Sequence, residues 1–77
     1  MDGYAAFVKA LGKRVRGMRK EAGMSQRKLA ESVGMTQNAI LNYEHAWTCM
    51  SAWTLLEICK VLGVSADEML GLEKEGD

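Results

Sequence analysis

The stretch from Ser25 to Glu44 constrains this 77-residue chain more than any other part. Two short helical patterns lie on either side of Gly34. Ser25 suits the N-cap of the first, because its hydroxyl can accept from a first-turn N–H that has no partner within the helix. Leu29, Ala30 and Val33 then form one apolar stripe. Gly34 suits the left-handed residue that ends a helix. Thr36 can cap the second helix, in which Ile40 and Tyr43 share a face. Helices this short cannot lie parallel across so tight a link, so they are expected to cross steeply.

Opposite Ile40 and Tyr43 on that second helix lie Gln37, Asn38 and Asn42. Amide side chains pair bidentately with adenine N6 and N7 in the major groove. They are also ordinary solvated surface residues. The helix by itself leaves both readings open.

The rest of the chain bears on the choice. Its net charge is zero, but the charges are segregated. Residues 1–28 hold eight basic residues (Lys9, Lys13, Arg14, Arg16, Arg19, Lys20, Arg27 and Lys28) against Asp2 and Glu21, a net of +6. Residues 29–77 hold two basic residues against eight acidic ones, a net of −6. One basic and one acidic pole would offer phosphates a field on one side only. A merely solvated basic helix has the same composition.

Helix 1 is expected from about Ala5 to Ala22, with Phe7, Leu11, Val15 and Met18 as its buried stripe. Gly12 and Gly17 each weaken it by about 1 kcal/mol relative to alanine. Helix 2 is expected over about 26–33, helix 3 over about 37–45 and helix 4 over about 52–62. Ser51 caps helix 4, whose expected buried face is Ala52, Leu55, Leu56, Cys59 and Leu62. Ser65 opens helix 5 with Glu68 three residues on, the pattern of a capping box. Met69, Leu70 and Leu72 close the core or a partner surface. Residues 1–4 read as a flexible N-terminus, 5–72 as one domain and 73–77 as a polar, disordered tail. No segment alternates with period two, so the expected class is all-α, five short helices around one core.

Several chemistries are not expected. No run of about 18 apolar residues predicts a membrane span, and no N-terminal stretch resembles a signal peptide. Cys49 and Cys59 match neither a disulfide framework nor a zinc signature, which fits idle thiols in a reducing cytoplasm. His45 lacks partners for a metal site or a triad, and reads as a solvated helix-end residue. No nucleophile–base pair or phosphate-cradling loop suggests an enzyme, and no cofactor is implied.

The pattern resembles the lambda-repressor-like helix-turn-helix family, of Cro/C1 or Xre type. The resemblance covers about residues 10–70 and rests on Leu11-Gly-Lys-Arg-Val-Arg16, Arg19-Lys-Glu-Ala-Gly23, Ser25-Gln26, Leu29-Ala30, Gly34, Ile40, Tyr43-Glu44, Leu62-Gly-Val-Ser65 and Asp67-Glu68. It implies a compact five-helix DNA-binding domain. Thr36, Gln37, Asn38 and Asn42 match base-reading positions. Gln26 resembles a glutamine that contacts the DNA backbone and braces the reading helix, and Arg19 with Glu44 matches a structural ion pair. Arg27, Lys28, Lys13 and Arg14 are candidate backbone contacts.

The chain departs from the family where a glycine usually follows helix 3, since Ala46 stands there. The usual basic loop is replaced by the uncharged Trp47–Met50. Leu41 occupies a usually polar position, as a thymine-methyl contact or a plain exposed leucine. Trp53 is either an interface anchor or a cover for the core.

The implied function is a sequence-specific double-stranded DNA-binding transcriptional regulator, a repressor or restriction-modification controller. It would act as a homodimer on half-sites on the order of 34 Å apart. The alternative is an antitoxin-like module whose partner is a protein, a toxin or transcription machinery. Trp47, Met50, Trp53, Met69 and Leu72 are the candidate dimer or partner surface.

Overall fold

Four hydroxyl side chains start four of the five helices. In the computed structural model, which describes residues 3–72, α1 spans Gly3–Glu21, α2 Gln26–Val33, α3 Gln37–Glu44, α4 Ala52–Leu62 and α5 Ala66–Leu70. Ser25 Oγ accepts from the Lys28 N–H at 3.0 Å, and Thr36 Oγ1 from the Ala39 N–H at 3.1 Å. Ser51 caps α4 through the Thr54 N–H at 3.1 Å. Ser65 and Glu68 form the capping box, each side chain accepting from the other's backbone N–H. Each cap satisfies a donor that the helix itself cannot.

α1 begins at Gly3, so Gly3 and Tyr4 belong to a helix that was expected to start at Ala5. Residues 1–2 and the expected tail at 73–77 lie outside the described residues. Among the described residues there is no strand, and no helix is long and apolar enough to cross a membrane.

Leu11, Val15, Leu29, Ala30, Ile40, Ile58, Cys59 and Met69 form the core. α2 and α3 pack on each other, α1 on α3 and α5, and α4 on α2 and α5. Two helix faces differ from expectation. On α1 the buried set is Val8, Leu11, Gly12, Val15 and Arg19, while Phe7 stays 38% exposed. The helix is rolled toward α3 because Gly12, not a large apolar residue, meets that helix. A Cβ on Gly12 would lie 2.5 Å from the Tyr43 carbonyl oxygen and 2.9 Å from that of Glu44.

On α4 the buried residues are Thr54, Ile58 and Cys59. Leu55 and Leu62 are half-buried, and Ala52 and Leu56 face out. Burial of Thr54 costs little because its hydroxyl oxygen accepts from Ser51 Oγ at 3.1 Å.

Candidate nucleic-acid interface

α2 and α3 are joined by Gly34, Met35 and Thr36 alone. Gly34 takes φ 71°, and its N–H together with that of Met35 returns to the last carbonyls of α2. Thr36 follows at once as the next cap, and α3 carries no basic residue.

The buried side of α3 is Ile40, fully enclosed, with Tyr43 packed against the core beside it. The other side carries the amides: Gln37 and Asn38 are exposed with Thr36, and Asn42 is half-buried. Leu41 is half-buried but is not among the apolar residues packed against the core. His45 is exposed at the helix end and meets Trp47 edge to face, ring centroids 4.8 Å apart.

An internal ion pair fixes where α3 sits. Arg19 Nε donates to Glu44 Oε2 at 2.6 Å, and Nη2 donates to Oε1 at 3.0 Å, a bidentate arrangement. Arg19 Nη1 donates to the Met24 carbonyl at 2.8 Å, and Gln26 Nε2 donates to Glu44 Oε1 at 3.1 Å. The side chains are 9% and 2% exposed. One cluster therefore joins the end of α1, the α1–α2 turn, the first residue of α2 and the last of α3. Among the described residues no buried side-chain nitrogen or oxygen lacks a partner. Burial pushes the Glu44 carboxyl up, but hydrogen bonds from Arg19 and Gln26 and the charges of Arg19 and Arg16 outweigh it. The net result lies below the ordinary carboxylate range.

Lys13, Arg27 and Lys28 are exposed. Arg27 also lies 3.5 Å from Glu31, a solvated i,i+4 pair of small worth. Arg14 is held differently. It is half-buried, its guanidinium packs over Gly71, and Nη1 reaches the Met69 carbonyl at 3.4 Å. Gln26, expected at the DNA backbone, has its amide nitrogen engaged by Glu44.

The expected partner surface is not one surface. Met69 is fully buried in the core, because α5 is short and its single inward residue must fill the space between α1 and α4. Met69 therefore offers no surface to a partner. Met50 is half-buried and packs against the core. Trp47, Trp53 and Leu72 are 67%, 70% and 64% exposed, so Trp53 does not fold over the core. Cys59 is buried and Cys49 half-buried, both as free thiols. Burial, with Glu68 nearby, pushes the Cys59 thiol up.

Sequence reasoning missed four buried residues: Val8 and Ile58, passed over for neighbouring apolar positions, and the small Gly12 and Thr54. Neither small side chain carries a hydrophobic signal.

Residues 10–72 match a family model described as a helix-turn-helix domain. The HTH-type transcriptional regulator ImmR of Bacillus subtilis is 34% identical over 65 residues, which is 84% of this chain and 51% of that protein. The chain thus spans about half the length of that relative. The restriction-modification controller protein C.AhdI from Aeromonas hydrophila superposes with a TM-score of 0.79 at 25% identity, covering 83% of this chain and 97% of that one. The P22 c2 repressor, solved in complex with a synthetic operator, gives a TM-score of 0.76 at 32% identity, covering 82% and 96%. The extent of the family match, with these likenesses in fold and sequence, makes the chain a member of the helix-turn-helix domain family, of the lambda-repressor-like Cro/C1 type.

Proposed function

We propose that this chain is a sequence-specific double-stranded DNA-binding transcriptional regulator that acts by binding and not by catalysis, in the cytoplasm. The observation that carries the reading is the outward face of α3: three amides and a cap hydroxyl opposite an enclosed isoleucine. α3 enters the major groove with its N-terminus leading. Gln37, Asn38 and Asn42 meet base edges, and Thr36 a base edge or a nearby phosphate. Leu41 supplies an apolar group of the kind that contacts a thymine methyl.

Lys13, Arg27 and Lys28 are the main backbone contacts, which position the protein without reading sequence. Arg14 and Gln26 are engaged within the fold, by the Met69 carbonyl and by Glu44, and support the interface by holding its helices in place rather than as free backbone contacts. With no Arg or Lys on the reading face, recognition favours adenine. So small a module makes few base contacts, which argues for a homodimer on a two-fold site.

Selection from a random duplex library at stated salt tests this. The expected product is a symmetric, adenine-containing site. On it, Asn38→Ala relaxes preference at one position by roughly 1–3 kcal/mol. A purified chain that shifts no duplex at low ionic strength overturns the reading. Asn38→Ala weakening every sequence equally overturns only the assignment of Asn38 as a base reader.

A further inference from the structure

Asn38, Asn42 and His45 recur at i, i+4 and i+7, so the imidazole continues the amide face past the last turn of α3. The backbone of His45 stays nearly helical, φ −88° and ψ 2°, and its N–H still reaches the Leu41 carbonyl at 3.0 Å. Trp47 lies against the ring. Its N–H returns to the Asn42 carbonyl at 2.9 Å, and its indole meets the imidazole edge to face. Both residues are exposed. Charge sets this position apart. No lysine or arginine occurs between Lys28 and Lys60, so His45 is the one side chain in that stretch that can become a cation. It is also the chain's single histidine.

We infer that His45 is a proton-linked phosphate contact: in the complex its protonated imidazole donates to a backbone phosphate at the rim of the major groove, so that DNA binding takes up a proton. This rests on the DNA-binding reading of α3. From Asn38 to His45 the helix rises about 10 Å, and the major groove is about 8.5 Å deep. A helix that enters with its N-terminus leading therefore lifts its far end to the level of the phosphates.

Imidazole changes charge between pH 5 and 8, and an adjacent anion favours the charged form. The fold supplies no such anion. Among the described residues His45 makes no ion pair, and the carboxylate of Glu44 is turned inward onto Arg19 and Gln26. α1 packs on this end of α3 through Gly12, and the charges of the adjoining turns, Lys9, Lys13 and Arg16, are positive and exposed. Residues 46–51 carry no charge, and Tyr43 and Cys49 are the remaining titratable side chains nearby in the chain. A phosphate is the anion that the interface would bring. By reciprocity, a duplex that favours the proton is bound more tightly by the protonated protein.

Titrations of one selected duplex with the full chain, at pH 6 and pH 8 and at several salt concentrations, test the proposal. The parent is expected to bind roughly three- to tenfold more tightly at pH 6. Its slope of log affinity against log salt should be steeper there by a little under one, the signature of one added phosphate contact. His45→Gln is expected to keep the parent's pH 8 affinity and slope at both pH values. His45→Lys carries a fixed charge and should keep the parent's pH 6 behaviour at both. The position is exposed and follows the helix, and thermal melts at each pH check that both variants are folded. A parent that binds no more tightly at pH 6, or a pH difference that persists in His45→Gln, overturns the proposal and leaves the DNA-binding reading standing. A chain that shifts no duplex at either pH overturns both.

Discussion

Ala46 holds φ 61°, a left-handed conformation that other described residues adopt only as glycine. The cause lies in the end of α3. The Ala46 N–H returns to the Tyr43 carbonyl at 3.1 Å and the Trp47 N–H to that of Asn42 at 2.9 Å, the paired bonds that close a helix with a left-handed residue. An L-residue pays about 1–2 kcal/mol for that conformation, while glycine gives back part of the gain through its freer unfolded chain. Ala46→Gly is therefore expected to stabilise the fold by about 0.5–1 kcal/mol, a rise of a few degrees in a thermal melt. An unchanged or lowered midpoint would show that the strain is relieved elsewhere. Glu44 makes a second prediction. Its pKa in the folded state lies below the ordinary value it regains on unfolding. The stability it contributes is thus full above the ordinary glutamate range and is lost as pH falls through that range to the folded value. Glu44→Gln leaves Arg19 with no anionic partner and costs about 3 kcal/mol at neutral pH. The gap between parent and variant, measured by denaturant unfolding at a series of pH values, narrows on acidification and not on alkalinisation.

Glycines inside α1 show how a packed helix departs from its propensity. Gly17 faces open space, whereas a side chain on Gly12 would strike two carbonyls of α3. Gly17→Ala should stabilise the protein by up to about 1 kcal/mol, since alanine is the better helix former. Gly12→Ala gains the same propensity but forces α3 outward, and the overpacking costs about 1–3 kcal/mol. It should lower the melting temperature and weaken duplex binding together. If both substitutions stabilise, the α1–α3 approach is looser than described. The same pair marks the limit of what can be read from residues in order. Helix starts are legible because a cap is local chemistry: Ser25, Thr36, Ser51 and Ser65 each precede a helix by one residue. Burial on α1 and α4 is less so. Periodicity prefers large apolar residues, so it chose Phe7 over Val8 and passed over Gly12. It could not orient α4, where nearly every position is apolar. Gln37, Asn38 and Asn42 are legible as a face because Ile40 and Tyr43 define the opposite one. The Arg19–Glu44 pair spans 25 residues, and nothing local joins those charges. Only the family likeness suggested it.

Across the whole molecule, the basic half is not a uniform field. Of its eight cations, Lys9, Lys13, Arg16, Lys20, Arg27 and Lys28 are exposed. Arg19 is spent on Glu44, and Arg14 lies half-buried over the end of α5. Sign alone would count all eight as phosphate contacts, but the fold leaves six free to meet solvent or a duplex. Counterion release makes the distinction measurable, because each phosphate contact adds a little under one to the slope of log affinity against log salt. On the proposed reading, Lys13→Ala and Lys28→Ala each weaken binding to every duplex and reduce that slope by about one. Arg14→Ala behaves differently. It removes a donor from the Met69 carbonyl and uncovers Gly71, so its main expected effect is a stability loss of about 1 kcal/mol with little change in slope. Titrations of one duplex at several salt concentrations, beside melts of the same proteins, separate the two kinds of cation. A slope unchanged in both lysine variants removes them from the interface. A slope that falls in Arg14→Ala as far as in Lys28→Ala means that the Arg14 guanidinium leaves α5 when DNA arrives.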